Sequence, residues 1–309
     1  MRHVVSIHGI SEKTASFFVA GAGCLWGTMG IFVRLLNKMG LSSMQIVEIR
    51  CFLAAMIGVA AVAVYDRRLL KIRLRDIWCF LGTGILSMVF FNVCYFSAIQ
   101  QMSLSGAAIL LYTSPIFVLL FSRILFKERI TAKRICCLVL IVCGCALVSG
   151  IWKDLSLLTG HGISLGLGAG LGYALYSIFS RYALERGYHP VTILIYTFGA
   201  AAVGGLPFSR PSEIVSALHG GPSQWGLLLL YALVTTVLPY FLYTAGLSRL
   251  ENGRAAMLAA LEPVVATLLG ALVFREIPSW GEGAGIVLVL GGICLLNHTE
   301  TGRKLTASE

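Results

Sequence analysis

Apolar runs of about twenty residues, long enough to cross a bilayer as helix, recur along this chain with only short polar breaks between them. Ten such runs are legible, at 15–36, 42–64, 77–99, 104–126, 133–151, 160–182, 190–208, 224–247, 253–274 and 280–297. The clearest breaks are Asp66–Asp76, Gly150–Gly160 and Ser209–Ser223. Inside hydrocarbon every backbone N–H and C=O needs a partner from the same segment, so each run is expected to be helical. The links Lys127–Lys133 and Ser248–Arg254 are short enough to join neighbouring spans as helical hairpins. Composition excludes the soluble alternative. Residues are 57% hydrophobic and 12% charged, with a mean hydropathy of +0.85, whereas soluble domains carry about 25% charge. A chain with so little polar surface cannot be wetted all round.

The second constraint is internal similarity. LLYTSPIFVLLFSRILFKER (110–129) and LAALEPVVATLLGALVFREI (258–277) are related by an offset of 148 residues. Pro115 falls on Pro263, Leu120 on Leu268, Phe126 on Phe274 and Glu128 on Glu276. The same offset sets Tyr95 on Tyr243 and Gly144 on Gly292. The chain therefore divides into two repeats, 1–151 and 152–309, of five spans each. Five is odd, so the second repeat enters the membrane with the opposite polarity. Inverted repeats of this kind are a common ground plan of secondary transporters. Fold class follows: an all-α integral membrane protein of ten transmembrane helices in two inverted five-helix repeats.

The net charge of +10 does not imply nucleic acid, because the cations sit at the ends of apolar runs and form no broad face. With the N-terminus placed inside, seventeen Lys and Arg fall on the cytoplasmic side and five, Arg34, Lys38, Lys153, Arg210 and Arg275, on the other. Arg50 and Arg123 lie within spans and complete the 24. This bias puts both termini in the cytoplasm, and the protein in the cytoplasmic (inner) membrane of the cell. The opening stretch MRHVVSIHGISEKTAS has too little apolar length to read as a cleaved signal peptide.

The nine cysteines all lie within apolar runs, and Cys143 with Cys145 makes only C-x-C with no histidine near in sequence. They read as small packing residues; neither a metal nor another cofactor is expected. The six histidines are scattered and form no H-x-x-x-H, which argues against a membrane enzyme. GHGISLGLGAGLG (160–172) lacks G-x-G-x-x-G, and its overlapping small-x-x-x-small pairs suit close helix approach. No G-x-x-x-x-G-K-[ST] motif supports an ATP motor.

The motifs LWGTMGIFVR (25–34), RCFLAA (50–55), SPIFVLLFSRILFKERIT (114–131) and EPVVATLLGALVFREIPS (262–279), the last two each followed by a glycine-containing apolar helix, carry a family likeness. The sequence resembles the EamA-type transporters of the drug/metabolite transporter superfamily over nearly its whole length. That resemblance implies alternating access around a central cavity, with export of amino acids or related metabolites more typical than import. The sixth span departs from the first, with Tyr173-Ala174 where the first has Trp26-Gly27. A small-molecule substrate and surrounding lipid are the expected partners, with movement driven by the substrate gradient or by protons. Ten helices can enclose a pathway in one chain, so a monomer suffices, and a homodimer is equally compatible. Import, a membrane enzyme and a non-transporting scaffold are the rival readings.

Polar groups inside spans are the candidate site. Glu48 and Arg50 would each cost several kcal/mol facing lipid at mid-bilayer, and two residues apart they point to different faces of the second span. Glu48 is a candidate to orient substrate or carry a proton, and Arg50 to attract a carboxylate; the rival is internal anchoring of helices. Glu262 directly precedes Pro263, and Pro263 and Pro115 interrupt matched helices, where freed carbonyls can line a cavity. Glu128 and Glu276 recur beside cations at opposite membrane faces and are gate candidates. Trp26, Tyr95, Tyr112, Tyr173, Tyr176, Tyr240 and Tyr243, with Asn92 near Tyr95, are candidates for a mixed aromatic and polar lining, Trp26, Tyr95 and Tyr243 ahead of the others.

Overall fold

The computed structural model describes residues 10–150, 159–218 and 221–305. Ten helical spans long and apolar enough to cross a membrane lie at Glu12–Lys38, Ser43–Tyr65, Leu74–Gln101, Leu104–Leu125, Ala132–Ser149, Gly160–Glu185, Pro190–Ser209, Gly221–Leu247, Asn252–Phe274 and Trp280–Asn297. They are called the first to tenth spans below. The link expected at Gly150–Gly160, with Lys153, falls mostly outside the described residues. The break expected at Ser209–Ser223 holds a further short helix, Pro211–Ala217.

Span starts follow local chemistry. Ser11, Ser42, Ser103, Thr131 and Thr159 each precede a span, and each hydroxyl accepts the backbone N–H three residues on. At Ser42 the box is reciprocal, since Gln45 Oε1 accepts the Ser42 N–H at 2.9 Å. Outward-facing side chains such as Phe17, Val64, Val203 and Leu272 are exposed, as a lipid-facing surface requires.

Several spans are not continuous α-helix. The first breaks at Thr28, between Glu12–Gly27 and Met29–Lys38. The fourth breaks between Leu104–Leu111 and Ser114–Leu125, and the ninth between Asn252–Ala259 and Leu261–Phe274. Pro115 and Pro263 thus stand in the first turn of a new segment, where no amide proton is needed. Wider π-type turns occupy Gly82–Val89 in the third span and Leu233–Val237 in the eighth. The offset of 148 carries residues 85–89 onto 233–237, so this irregularity too is repeated.

Packing runs across the halves. The first span packs on the eighth, the third on the sixth, the second on the seventh, the fourth on the ninth and the fifth on the tenth. Exchanging the halves maps this set of pairs onto itself, the signature of a pseudo-two-fold relation in the membrane plane. Close approach is specific: a Cβ on Gly170 would meet the Leu110 carbonyl oxygen at 2.8 Å, and one on Gly172 the Phe91 Cα at 3.0 Å. The glycines of 160–172 therefore seat the sixth span on the third and fourth.

Charged ends confirm the alternation. At the start of the ninth span, Arg254 reaches Glu12 at 3.6 Å and Ser16 at 3.1 Å in the first, and Asn297 at 3.3 Å in the tenth. The first span begins and the tenth ends on one face. Arg186 with Asp76, and Arg134 with Glu251, join other ends on that face. Arg34 with Glu276 and Arg210 with Glu213 lie on the opposite one.

Candidate substrate site

Both proline-marked breaks open onto one pocket. Tyr112, Ser114 and Pro115 line it from the fourth span, and Ala259, Ala260, Glu262 and Pro263 from the ninth. Cys145 and Tyr173 close its sides, and in this conformation its free volume is about 20 Å³, room for about one water. The offset of 148 sets Ser114 on Glu262, so the pocket carries a hydroxyl from one half where the other supplies a carboxylate. Glu262 Oε2 accepts the Tyr173 hydroxyl at 3.2 Å. Tyr95 and Tyr112 both lie within electrostatic reach of that carboxylate.

Beyond Tyr173 the pocket wall continues as an aromatic cluster. Trp26 meets Tyr173 edge-on at 6.1 Å and Tyr240 at 5.1 Å, and tilts against Tyr243 at 5.5 Å. Tyr243 shares a 2.6 Å hydrogen bond with Ser177, and Tyr176 one of 2.7 Å with Thr244. These rings are packed on each other rather than spread along an open channel. Trp26 is 5% exposed, and its Nε1–H has no acceptor. A buried donor left unpaired is costly and marks either stored strain or a waiting partner.

Arg50 lies at the far side of this cluster, 2% exposed, against Tyr231 and Tyr240. Its Nη1 donates to the Met29 sulfur at 3.7 Å, a weak acceptor, and its Nε has no partner. Among the described residues no carboxylate is within ion-pair distance of it. Glu48, two residues earlier and 7% exposed, faces away toward Gly205 of the seventh span. The helical geometry thus separates the two charges, as their spacing dictates.

Other sequence candidates fall elsewhere. Asn92 donates to the Met88 carbonyl of its own helix at 2.7 Å. Tyr95 stacks on Phe91 at 5.8 Å. Glu128 lies at one membrane face, 8% exposed, and accepts the N–H groups of Asn252 at 2.8 Å and Gly253 at 3.3 Å. Burial raises its carboxyl above the ordinary value, against those two amides, which favour the carboxylate. Glu276, at the opposite face with a side chain 55% exposed, pairs with Arg34 at 2.8 Å. The structure thus gathers Tyr112, Pro115, Glu262 and Pro263, joins Trp26, Tyr243 and Arg50 to them through Tyr173 and Tyr240, and leaves Glu48, Asn92, Glu128 and Glu276 apart. Ser114 and Cys145 were not among the candidates; for Ser114 the repeat offset was the signal, while Cys145 carried none.

The EamA-like transporter family model matches this chain twice, over residues 13–150 and 160–298. An uncharacterised transporter of Archaeoglobus fulgidus is 28% identical over 276 residues, 88% of this chain and 92% of that protein. The uncharacterised transporter YxxF of Bacillus subtilis is 24% identical over 315 residues, 100% and 97% of the two chains. The pseudopaline exporter CntI of Pseudomonas aeruginosa is 27% identical over 217 residues, covering 68% and 72%. One crystal structure superposes with a TM-score of 0.75 at 18% identity, covering 93% of this chain and 98% of its own, a likeness of fold. With both halves matched, the chain belongs to the EamA-like transporter family.

Proposed function

We propose that this protein is a secondary transporter of the cytoplasmic membrane, moving a small polar or amphipathic metabolite, amino-acid-like in character, out of the cell by alternating access. The observation that carries this reading is the pocket at the paired helix breaks. Glu262 and Ser114 occupy equivalent positions of two inverted repeats, and their breaks face each other across one cavity. A site on the axis relating two inverted halves is reached from either side when one half rocks against the other. Residues 1–151 and 152–309 are the two rocking halves, both termini lie in the cytoplasm, and a single chain holds the complete pathway. Export is supported by the name of the Pseudomonas aeruginosa relative, whose own substrate is not carried over to this chain.

Glu128 ties the fourth span's end to the start of the ninth on the face that carries both termini, a contact that has to open for that face to admit substrate. Glu48 and Glu262 are the ionisable groups through which a proton gradient would couple. The test is flux in proteoliposomes against a panel of radiolabelled amino acids and metabolites, with and without a pH gradient. Export-directed flux of at least one compound is expected, reduced at least about tenfold by Glu262→Gln, the equivalent of one lost charged hydrogen bond. No flux across the panel contradicts the reading.

A further inference from the structure

The two membrane faces carry the same three side chains in different arrangements. WGTMGIFVR (26–34) and YALYSIFSR (173–181) align at an offset of 147, which sets Arg34 on Arg181. The offset of 148 sets Phe126 on Phe274 and Glu128 on Glu276. On the face away from the termini, Arg34 lies over the Phe274 ring at 4.3 Å and pairs with Glu276 at 2.8 Å. On the other face, Phe126, Glu128 and Arg181 border one cavity, yet Arg181 and Glu128 are not paired. Arg181 donates instead to the Leu247 and Leu250 carbonyls, at 3.0 and 3.1 Å, where the eighth span ends. Glu128 accepts the Asn252 and Gly253 amides, where the ninth begins. Local backbone does not cause the difference, because the Glu128 and Glu276 N–H groups close equivalent turns, onto the Ser122 and Gly270 carbonyls at 3.1 and 3.3 Å. The helices do differ. Ser114–Leu125 packs against Asn252–Ala259 on the face that carries the termini, while the mirror pair, Leu104–Leu111 and Leu261–Phe274, has no comparable packing. Where the fourth and ninth spans meet, arginine and glutamate hold the backbone of other spans; where they part, the two side chains hold each other.

We propose that these two triads are gates that exchange partners. In the opposite conformation Arg34 leaves Glu276 for the carbonyls of Ile99 and Met102, and Glu276 takes the amides of Leu104 and Ser105. Arg181 then pairs with Glu128 over Phe126. The new partners are the equivalents, 148 residues earlier, of Leu247, Leu250, Asn252 and Gly253. They are ready to receive the charges. The turn that ends the third span, Met102 N–H to the Ala98 carbonyl at 3.0 Å, matches the one that ends the eighth, Leu250 N–H to the Gly246 carbonyl at 3.1 Å. The first N–H groups of a helix have no acceptor within it. Each charge thus has a partner in both conformations, and neither conformation leaves one bare. The pair broken is an exposed one, with side chains 53% and 55% accessible, and such a pair is worth little. The two conformations therefore stay close enough in free energy to interconvert. Arg34 and Arg181 become positioning residues of the transport cycle, and the proposal rests on the transport reading above.

The test places nitroxide labels at Leu104 and Leu272, exposed positions at the start of the fourth span and near the end of the ninth. The full chain, with its native cysteines replaced, is reconstituted in liposomes. Pulsed electron resonance is expected to give two distances, the long one of this structure and a shorter one for the closed face. The swap Arg34→Glu with Glu276→Arg keeps that pair but brings the wrong charge to each backbone target. The long distance should then gain at least about tenfold over the short one, the equivalent of one charged hydrogen bond. The swap Arg181→Glu with Glu128→Arg should favour the short distance by a similar factor. A pair that merely braces helix ends is restored by a swap, so distributions unchanged from the parent overturn the proposal. Two swaps that shift the distances the same way, or a single distance throughout, also overturn it. If a swap does not fold, a chain carrying Glu276→Cys and Leu104→Cys decides: oxidation is expected to join the two and to stop flux reversibly, and failure to join overturns the exchange. Parent flux with unbiased swaps leaves transport standing without the exchange; oppositely biased swaps in a chain without flux leave the gates standing and overturn transport.

Discussion

Glu128 and Glu276 occupy equivalent positions in the two repeats, yet they do different things. The residue before each, Lys127 or Arg275, holds the same left-handed backbone, φ 56° and 57°. Glu128 is folded in and closes two amides of the ninth span, while Glu276 is turned outward to Arg34. Removing the Glu128 carboxylate strands two buried N–H groups, so Glu128→Ala should cost about 1–3 kcal/mol in reversible unfolding. The pH dependence has a definite sign. Because burial raises the Glu128 carboxyl above its ordinary 4.5, the folded state binds the proton more tightly than the unfolded. Its contribution is complete below that ordinary value and is lost as pH rises through the raised folded one. The stability of the parent relative to Glu128→Gln should therefore fall as pH rises above the ordinary carboxyl value of 4.5. A difference that grows with pH would mean that the amide bonds outweigh desolvation. At Lys127 and Arg275 the left-handed backbone itself is strained, and glycine at either position should stabilise by about 0.4–1 kcal/mol if the side chain makes no compensating contact.

The spans themselves were legible because apolar length and helical hydrogen bonding admit one solution in lipid. Boundaries at Ser42 or Thr159 were marked by residues that cap helices. The breaks in the fourth and ninth spans were marked as well, by Pro115 and Pro263, since proline cannot donate within a helix. The break at Thr28 and the π-type turns at 82–89 and 233–237 were not, because hydropathy reports how apolar a stretch is and carries no record of backbone phase. The site was legible in part for the same reason. Glu262 stood out as a carboxylate in an apolar run, and Tyr173 and Tyr240 stood among the in-span aromatics, but which of those rings meet is set by packing across halves. That packing predicts a sensitive element. Gly170 faces the Leu110 carbonyl with no room for a methyl group, so Gly170→Ala should lose about 1–3 kcal/mol. Gly30, whose added Cβ meets nothing within 4 Å, should accept alanine without that cost; comparable losses at both positions would contradict the seating of the sixth span.

At the scale of the whole molecule, the five main span pairs recur with the halves exchanged. Ion pairs and carbonyl contacts through Arg134, Arg181, Arg186 and Arg254 bind one face together. On the other face the ties run through Arg34 and Gln45. An assembly of two equivalent halves has a mirror conformation in which the roles of its faces are exchanged, with the pocket at Ser114 and Glu262 common to both. The direct test is labelling of Ser114→Cys with a membrane-impermeant maleimide from each side of oriented vesicles, in a chain whose native cysteines are replaced. The added pair Glu128→Cys and Asn252→Cys would be oxidised to lock one face. The account predicts labelling from both sides before oxidation, and afterwards loss from the locked face alone, restored by reduction. Labelling from a single side under all conditions, or labelling unchanged by the disulfide, would contradict it.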